Sequence, residues 1–199
     1  MLPNEIIEQY QGLIFDMDGT VVDTMPSHAK AWVKVGEHFG YPFDDKLLYE
    51  MAGAPVDMVA KAQMQRYGMP IEHLPEVIAM KRELGQKMIM EHSTLLPAAE
   101  IVRSFFGKKL MALGTGSYRG TTEMLLNKFD FAPYFNAIVT AEDVAKHKPA
   151  PDTFLRCAEL IGVQPHHCLV FEDADLGIEA ALRGGMHAFD VRSRELIKG

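Results

Sequence analysis

Cysteine is scarce in this chain. Its 199 residues hold two, Cys157 and Cys168. Both fall in segments that read as buried, and they make no metal-ligand spacing. A reducing, cytoplasmic setting is the plain inference. Basic residues are also short: 20 lysines and arginines face 27 aspartates and glutamates, a net charge of −7. That balance argues against nucleic acid as the main partner and against an anionic membrane surface. A negatively charged substrate would need a local positive site to overcome it. No apolar stretch approaches transmembrane length. The first eight residues, Met1 to Glu8, show no basic region followed by an apolar run and do not read as a signal peptide. With 48% hydrophobic and 24% charged residues, the composition is that of an ordinary soluble globular protein. The length allows one medium core, or a core with a small accessory domain.

What is present centres on Leu13-Ile14-Phe15-Asp16-Met17-Asp18-Gly19-Thr20. An apolar run of strand type ends in two aspartates, a glycine and a threonine. Side chains two apart on an extended chain point the same way, so Asp16 and Asp18 are expected to face one site and Met17 the opposite side. Two carboxylates about 4 Å apart repel by roughly 4 kcal/mol at an effective dielectric near 20. The pair therefore needs a cation, a shared proton or separation by water. Gly19 suits a sharp turn or the close approach of a ligand. On these residues alone, a solvated loop after a strand is the alternative.

From Pro26 to about His92 strand signals are nearly absent and helical periods take over. His28, Trp32, Val35 and Phe39 follow one helix face, and Gly40 with Pro42 ends that helix. Shorter helical pieces follow at Asp45–Met51 and Val56–Tyr67, then a long one at Leu74–His92. Eight of the 13 methionines lie between Met25 and Met90, which suits either an adaptable lid or a plain helical core. After about Leu95 strands and helices alternate. Strands are expected at Leu110–Leu113, Ala137–Val139 and Cys168–Phe171, with His187–Asp190 as the last. This α/β alternation implies a parallel sheet with helices on both faces, and ligands bind such sheets outside the carboxyl ends of the strands. Asp16/Asp18, Thr115/Ser117 and Glu172/Asp173 stand at three such ends, and Lys148 follows a fourth strand after a short loop. The acids suit Mg²⁺, which takes oxygen ligands. The glycines and hydroxyls around Thr115 suit a phosphate, and Lys148 suits another phosphate oxygen. Phosphoryl transfer with a carboxylate nucleophile is the chemistry such a set can perform.

These motifs resemble those of the haloacid dehalogenase (HAD) superfamily. Asp16-Met17-Asp18-Gly19-Thr20 looks like its first motif, Thr115 its second, Lys148-Pro149 its third and Glu172-Asp173 its fourth, in that order. The stretch Lys148 to Phe154 and the helical insert after the first motif look like the β-phosphoglucomutase-like branch, and within it most like phosphatases of fructose 1-phosphate and similar sugar phosphates. The resemblance covers essentially the whole chain. It implies a Rossmann-like parallel sheet flanked by helices, with residues 1–22 and 94–199 as the catalytic core and 23–93 as a small all-helical cap inserted after the first strand. It also implies a Mg²⁺-dependent sugar phosphatase. Asp16 would be the nucleophile. Asp18 would give a proton to the leaving group and later take one from water. Asp16, the Asp18 carbonyl, Asp173 and Glu172 would hold Mg²⁺. Thr115, Lys148 and amides near Gly19 and Gly116 would bind the phosphoryl group, with His28 and Ser117 toward the substrate. The dehalogenases of the superfamily lack an acid at the position of Asp18, so a dehalogenase is not expected.

A sugar phosphomutase is the alternative. The mutases of this branch carry an arginine and a lysine in a cap loop, and the matching loop, Ala52 to Asp57, holds neither. Lys61 or Lys81 offers a substitute from a neighbouring helix, although lysines on helices more often belong to solvated surface. A third possibility, a non-catalytic binding module, sits poorly with an intact set of acids, threonine and lysine. His28 can be either a core histidine or a functional one. A monomer is the default, and the sugar is not specified.

Overall fold

The computed structural model describes residues 4–199. Residues 1–3, the start of the segment read against a signal peptide, lie outside them. After a short helix, α1 (Asn4–Ile7), the chain enters β1 (Gly12–Phe15), whose four residues are all buried. Four further strands lie parallel in the same sheet: β4 (Leu110–Gly114), β5 (Ala137–Val139), β6 (Cys168–Glu172) and β7 (His187–Asp190). The order is β5-β4-β1-β6-β7, with β8 (Glu195–Ile197) added antiparallel at the edge. Strands covered on both faces read as continuous apolar runs, and their side chains divide by alternation. Leu13, Phe15, Leu113 and Phe171 enter one core, while Ile14, Ala112, Val139 and Val170 enter the other. The covering helices are α6 (Ala98–Phe105), α7 (Arg119–Lys128), α8 (Asp152–Leu160) and α9 (Asp175–Arg183).

Between β2 (Val22–Asp23) and β3 (Thr94–Leu95) stand four helices: α2 (Met25–Phe39), α3 (Lys46–Glu50), α4 (Val56–Tyr67) and α5 (Leu74–His92). They pack around an apolar centre of their own that includes Trp32, Val35, Phe43, Val59 and Met64. Gly40 and Gly68 close α2 and α4 in the left-handed conformation, φ 76° and 70°, which glycine adopts without a Cβ penalty. β2 and β3 pair antiparallel, Val22 with Leu95 and Asp23 with Thr94, so the chain enters and leaves the insert at one place.

Two features depart from the sequence expectation. His187–Asp190 is not the last strand, because β8 follows it. Three residues after a charged turn are too few to show alternation. The β2–β3 pair was also not expected, since two residues on each side give no period to read. Among the described residues no helix is long and apolar enough to cross a membrane.

Candidate active site

The strand order decides which residues meet. β1 lies between β4 and β6, so the residues at their carboxyl ends become neighbours: Asp16 after β1, Thr115 after β4, and Glu172 with Asp173 at β6. Lys148 arrives on the loop after β5. Its amino group lies 2.7 Å from Asp16 Oδ1 and 2.7 Å from Glu172 Oε1, and only 1% of its side chain is exposed. A buried ionic cluster holds together only when its lone pairs are satisfied. Glu172 Oε2 accordingly accepts the Ala174 amide at 2.7 Å. Burial pushes the Asp16 carboxyl well up, against the pull of the Lys148 charge. Burial also disfavours the Lys148 ammonium, but Asp16 and Glu172 outweigh it and raise its pKa above the usual lysine value.

Asp173 completes the acidic group. Oxygens of Asp16, Glu172 and Asp173 all lie within 4.8 Å of one another. Thr20 Oγ1 donates to Asp173 Oδ1 at 2.9 Å. Burial first, and then the Glu172 charge, push the Asp173 carboxyl up to about 7. Three carboxylates and one lysine leave excess negative charge at a site whose other donors are all oxygen. That donor set fits a hard divalent cation. Two glycines make the crowding possible. A Cβ on Gly19, whose φ is +90°, would overlap Asp173 Oδ2, and one on Gly177 in α9 would overlap Glu172 Oε1.

Asp18 faces the same cleft as Asp16, while Met17 is fully buried in the core. Thr24 Oγ1 and Ser117 Oγ donate to Asp18 at 2.6 and 2.7 Å, with Thr115 Oγ1 and His28 Nε2 each at 3.4 Å. Burial alone would raise the Asp18 carboxyl. The bonds from His28, Thr24 and Ser117 outweigh it and hold it well below the usual carboxylate range.

The insert supplies the other wall. Lys81 Nζ lies 2.5 Å from His28 Nδ1. A charged Lys81 donates to Nδ1, so a neutral His28 carries its proton on Nε2 and directs it at Asp18. Burial, and then the Lys81 charge, lower the His28 pKa, and burial lowers Lys81 to about 8. The surface expectation holds for Lys61, which is exposed and pairs with Asp57 at 3.7 Å. It fails for Lys81, which is 6% exposed. The physical reason is its place on α5, where the buried positions Val77, Lys81, Gly85 and Ile89 recur every four residues. Gly85 also leaves room for the amine, since a Cβ there would sit 3.3 Å from Lys81 Nζ. Of the segment Ala52–Asp57 matched from sequence, Val56 and Asp57 already belong to α4, and the loop before them reaches the rim directly. A Cβ on Gly116 would overlap the Gly53 carbonyl oxygen, and Gly53 itself has φ +87°.

A family model of haloacid dehalogenase-like hydrolases matches residues 10–185. The chain belongs to that family. Fructose-1-phosphate phosphatase YqaB of Escherichia coli K12 is 45% identical to it over 186 residues, 93% of this chain and 98% of that protein. Beta-phosphoglucomutase of Bacillus subtilis 168 is 27% identical over 187 residues, 91% of this chain and 83% of that protein. The crystal structure of a beta-phosphoglucomutase from Clostridium difficile matches with a TM-score of 0.80 at 24% identity, covering 91% of this chain and 84% of that one. That last likeness is one of fold.

In this HAD-like hydrolase, residues from four separate segments meet at one rim as expected from sequence: Asp16 and Asp18, Thr115 with Gly116 and Ser117, Lys148, and Glu172 with Asp173. Ser117 is engaged with Asp18, and His28 stands between Asp18 and Lys81. Two contributors, Thr24 and Gly177, went unseen in the sequence. Thr20 was read only as part of the first motif, and Lys81 only as an alternative cation, although its place in the four-residue stripe of α5 was a readable signal of burial.

Proposed function

We propose that this HAD-like hydrolase is a magnesium-dependent phosphatase acting on a small sugar phosphate of the fructose 1-phosphate type, through an aspartyl-phosphate on Asp16. One observation carries the reading. Asp16, fixed by the buried Lys148, shares a cleft with a second carboxylate, Asp18, two residues along. The similarity to fructose-1-phosphate phosphatase YqaB supports the substrate type.

Asp16 attacks phosphorus, and the bond from phosphorus to the sugar oxygen breaks as Asp18 gives that oxygen a proton. A dianionic phosphoryl group beside Asp18 favours its protonated form, offsetting the hydroxyl bonds that otherwise keep it ionised. Water then attacks the aspartyl-phosphate. Asp18, now a carboxylate steadied by Thr24 and Ser117, takes the water's proton. Phosphate leaves and Asp16 is restored. Thr115, Lys148 and the amides near Gly19 and Gly116 bind the phosphoryl oxygens, while His28 and Ser117 fix Asp18 and face the sugar. Asp16, Glu172, Asp173 and the Asp18 carbonyl would hold Mg²⁺. Bound there, Mg²⁺ supplies charge neutralisation at the phosphoryl oxygens. Residues 23–93 serve as a cap over a core of 1–22 and 94–199. A monomer suffices, because every residue named belongs to one chain.

The deciding experiment is a screen of phosphorylated sugars and sugar acids with Mg²⁺ that follows free phosphate and isomerised product together. Release of phosphate from ketose or hexose monophosphates is expected. One observation favours the mutase instead: Lys81 brings to the cleft a cation that loop 52–57 lacks. Isomerisation of a hexose 1-phosphate with a bisphosphate activator, and little net phosphate, would replace the hydrolase reading.

A further inference from the structure

The insert and the sheet layer meet along a second line, away from the reacting groups. α7 runs beside the later half of α5, and polar contacts join them at three levels. Nearest the β2–β3 junction, Lys128 Nζ bonds the Ser93 carbonyl at 3.0 Å, Ser93 Oγ at 2.9 Å and the Ile89 carbonyl at 3.3 Å. Further along, Gln86 Nε2 donates to Thr121 Oγ1 at 3.3 Å. Furthest from the junction, the Arg82 guanidinium lies over the Tyr118 ring, 3.9 Å from its centroid.

These contacts are graded in strength. Lys128 adds a charged donor to the Ser93 carbonyl and to the Ile89 carbonyl, which already accepts from the Ser93 amide and hydroxyl, and its charge suits the negative end of the helix dipole. An exposed guanidinium lying over a half-buried ring makes a weaker, weakly hydrated contact that can part and re-form readily. Arg82, Gln86, Tyr118 and Thr121 all line the cleft that holds Asp16 and Asp18, so the weak end of the seam is part of its wall. Arg82 follows Lys81 directly. On a helix consecutive side chains diverge by about 100°, so Lys81 enters the cleft while Arg82 lies at its edge.

We infer that Arg82 and Tyr118 form a latch on the cleft, with Lys128 as its pivot. Stacked, the pair holds α5 against α7 and keeps the insert closed over Asp16. Parted, it opens the cleft at the Arg82 end while Lys128 keeps the junction in place. Arg82 is thus a positioning residue: it sets how much of the protein is closed, and hence which leaving groups are accepted. Small sugars that need the closed wall lose when the latch breaks, and bulkier esters gain. The selectivity rests on the phosphatase reading; the latch rests on the seam alone.

Trp32 tests the latch without activity. It is the one tryptophan of the sequence, is 1% exposed, and lines the same cleft. Acrylamide quenching of its fluorescence follows opening. R82A and Y118L are each expected to shift the open-to-closed ratio by about two- to fivefold, the factor that corresponds to a cation–π contact at an exposed site. Y118F keeps the ring and should quench as the wild type does. The R82A/Y118L double variant should be no more open than either single one. On the activity side, R82A should raise kcat/KM for p-nitrophenyl phosphate relative to fructose 1-phosphate. Unchanged quenching in R82A and Y118L, with circular dichroism showing both folded, overturns the latch. So does an additive double variant, or a Y118F protein as open as Y118L. If the wild type releases no phosphate from any ester, the phosphatase reading falls, and the quenching series still decides the latch.

Discussion

The rim of the sheet and the wall supplied by the insert face the same cleft, yet they treat charge differently. At the rim each ionised group is tied to a partner of opposite or complementary character. Lys148 holds two carboxylates, Thr20 holds Asp173, and Thr24 with Ser117 holds Asp18. In the wall, the buried Lys81 amine meets an imidazole nitrogen and, 5.6 Å off, the face of Trp32. The rim is built in advance for a fixed charge pattern. The wall carries a cation whose burial is incompletely compensated, and in the proposed phosphatase that leaves Lys81 able to gain a partner from the leaving group. Catalytic positions gain from being over-determined, while recognition positions gain from partners still to come.

Substitutions can break or sharpen that contrast. The largest effect belongs to the rim: D16N should lower phosphate release by about a thousandfold or more, because the proposed nucleophile is lost outright. Chelation by EDTA should stop turnover as completely, and added Mg²⁺ should restore it. A colorimetric phosphate assay reads both. K148M comes next. It leaves Asp16 and Glu172 facing each other without their cation, and chemical denaturation should show a loss of about 3–5 kcal/mol.

Lys81 should behave in the opposite sense. Its pKa falls from the usual 10.5 to about 8 on folding. Between those values the unfolded chain binds more protons than the folded one, so stability rises with pH through that window. Below about 8 the cost of carrying the charged amine is felt in full. K81M should therefore be more stable than the wild type at pH 7, by up to roughly 3 kcal/mol, and its advantage should shrink as the pH passes from 8 toward 10.5. Melting curves at pH 7, 8.5 and 10 test this. An advantage that grows with pH would sink the idea that Lys81 is strained by its burial. The smallest effect belongs to K61A. Its pair with Asp57 is exposed, and both stability and turnover should stay within about 0.5 kcal/mol of the wild type.

The legibility of the sequence follows the same division. At the rim, order and local chemistry carry the information: an apolar strand, then Asp16 and Asp18, later Thr115, Lys148 and Glu172-Asp173, each just past a strand or in the loop beyond it. A parallel sheet converts that order into proximity with little freedom left. The helices of the insert were also readable, because α2 and α4 begin and end where proline and glycine punctuate the chain. How those helices turn toward the rim was not readable. Lys81 and Lys61 look alike in sequence, and only packing puts one inside and the other in water. Gly177 resembles any small residue in a helix until the Glu172 side chain is seen to occupy the space its Cβ would take. β2, β3 and β8 are two or three residues long, too short for any period to appear.

The pairing of Val22 with Leu95 has a modular consequence. Everything from α2 to α5 departs from and returns to two hydrogen-bonded neighbours, so the ends of the insert are already held together. The loop-closure cost borne at this junction grows only slowly with the length of what lies between, about 0.6 kcal/mol per doubling. A helical unit of different length or sequence can be grafted at this junction while the registers of β1, β4 and β6 stay as they are. One catalytic floor can in this way be fitted with many different roofs.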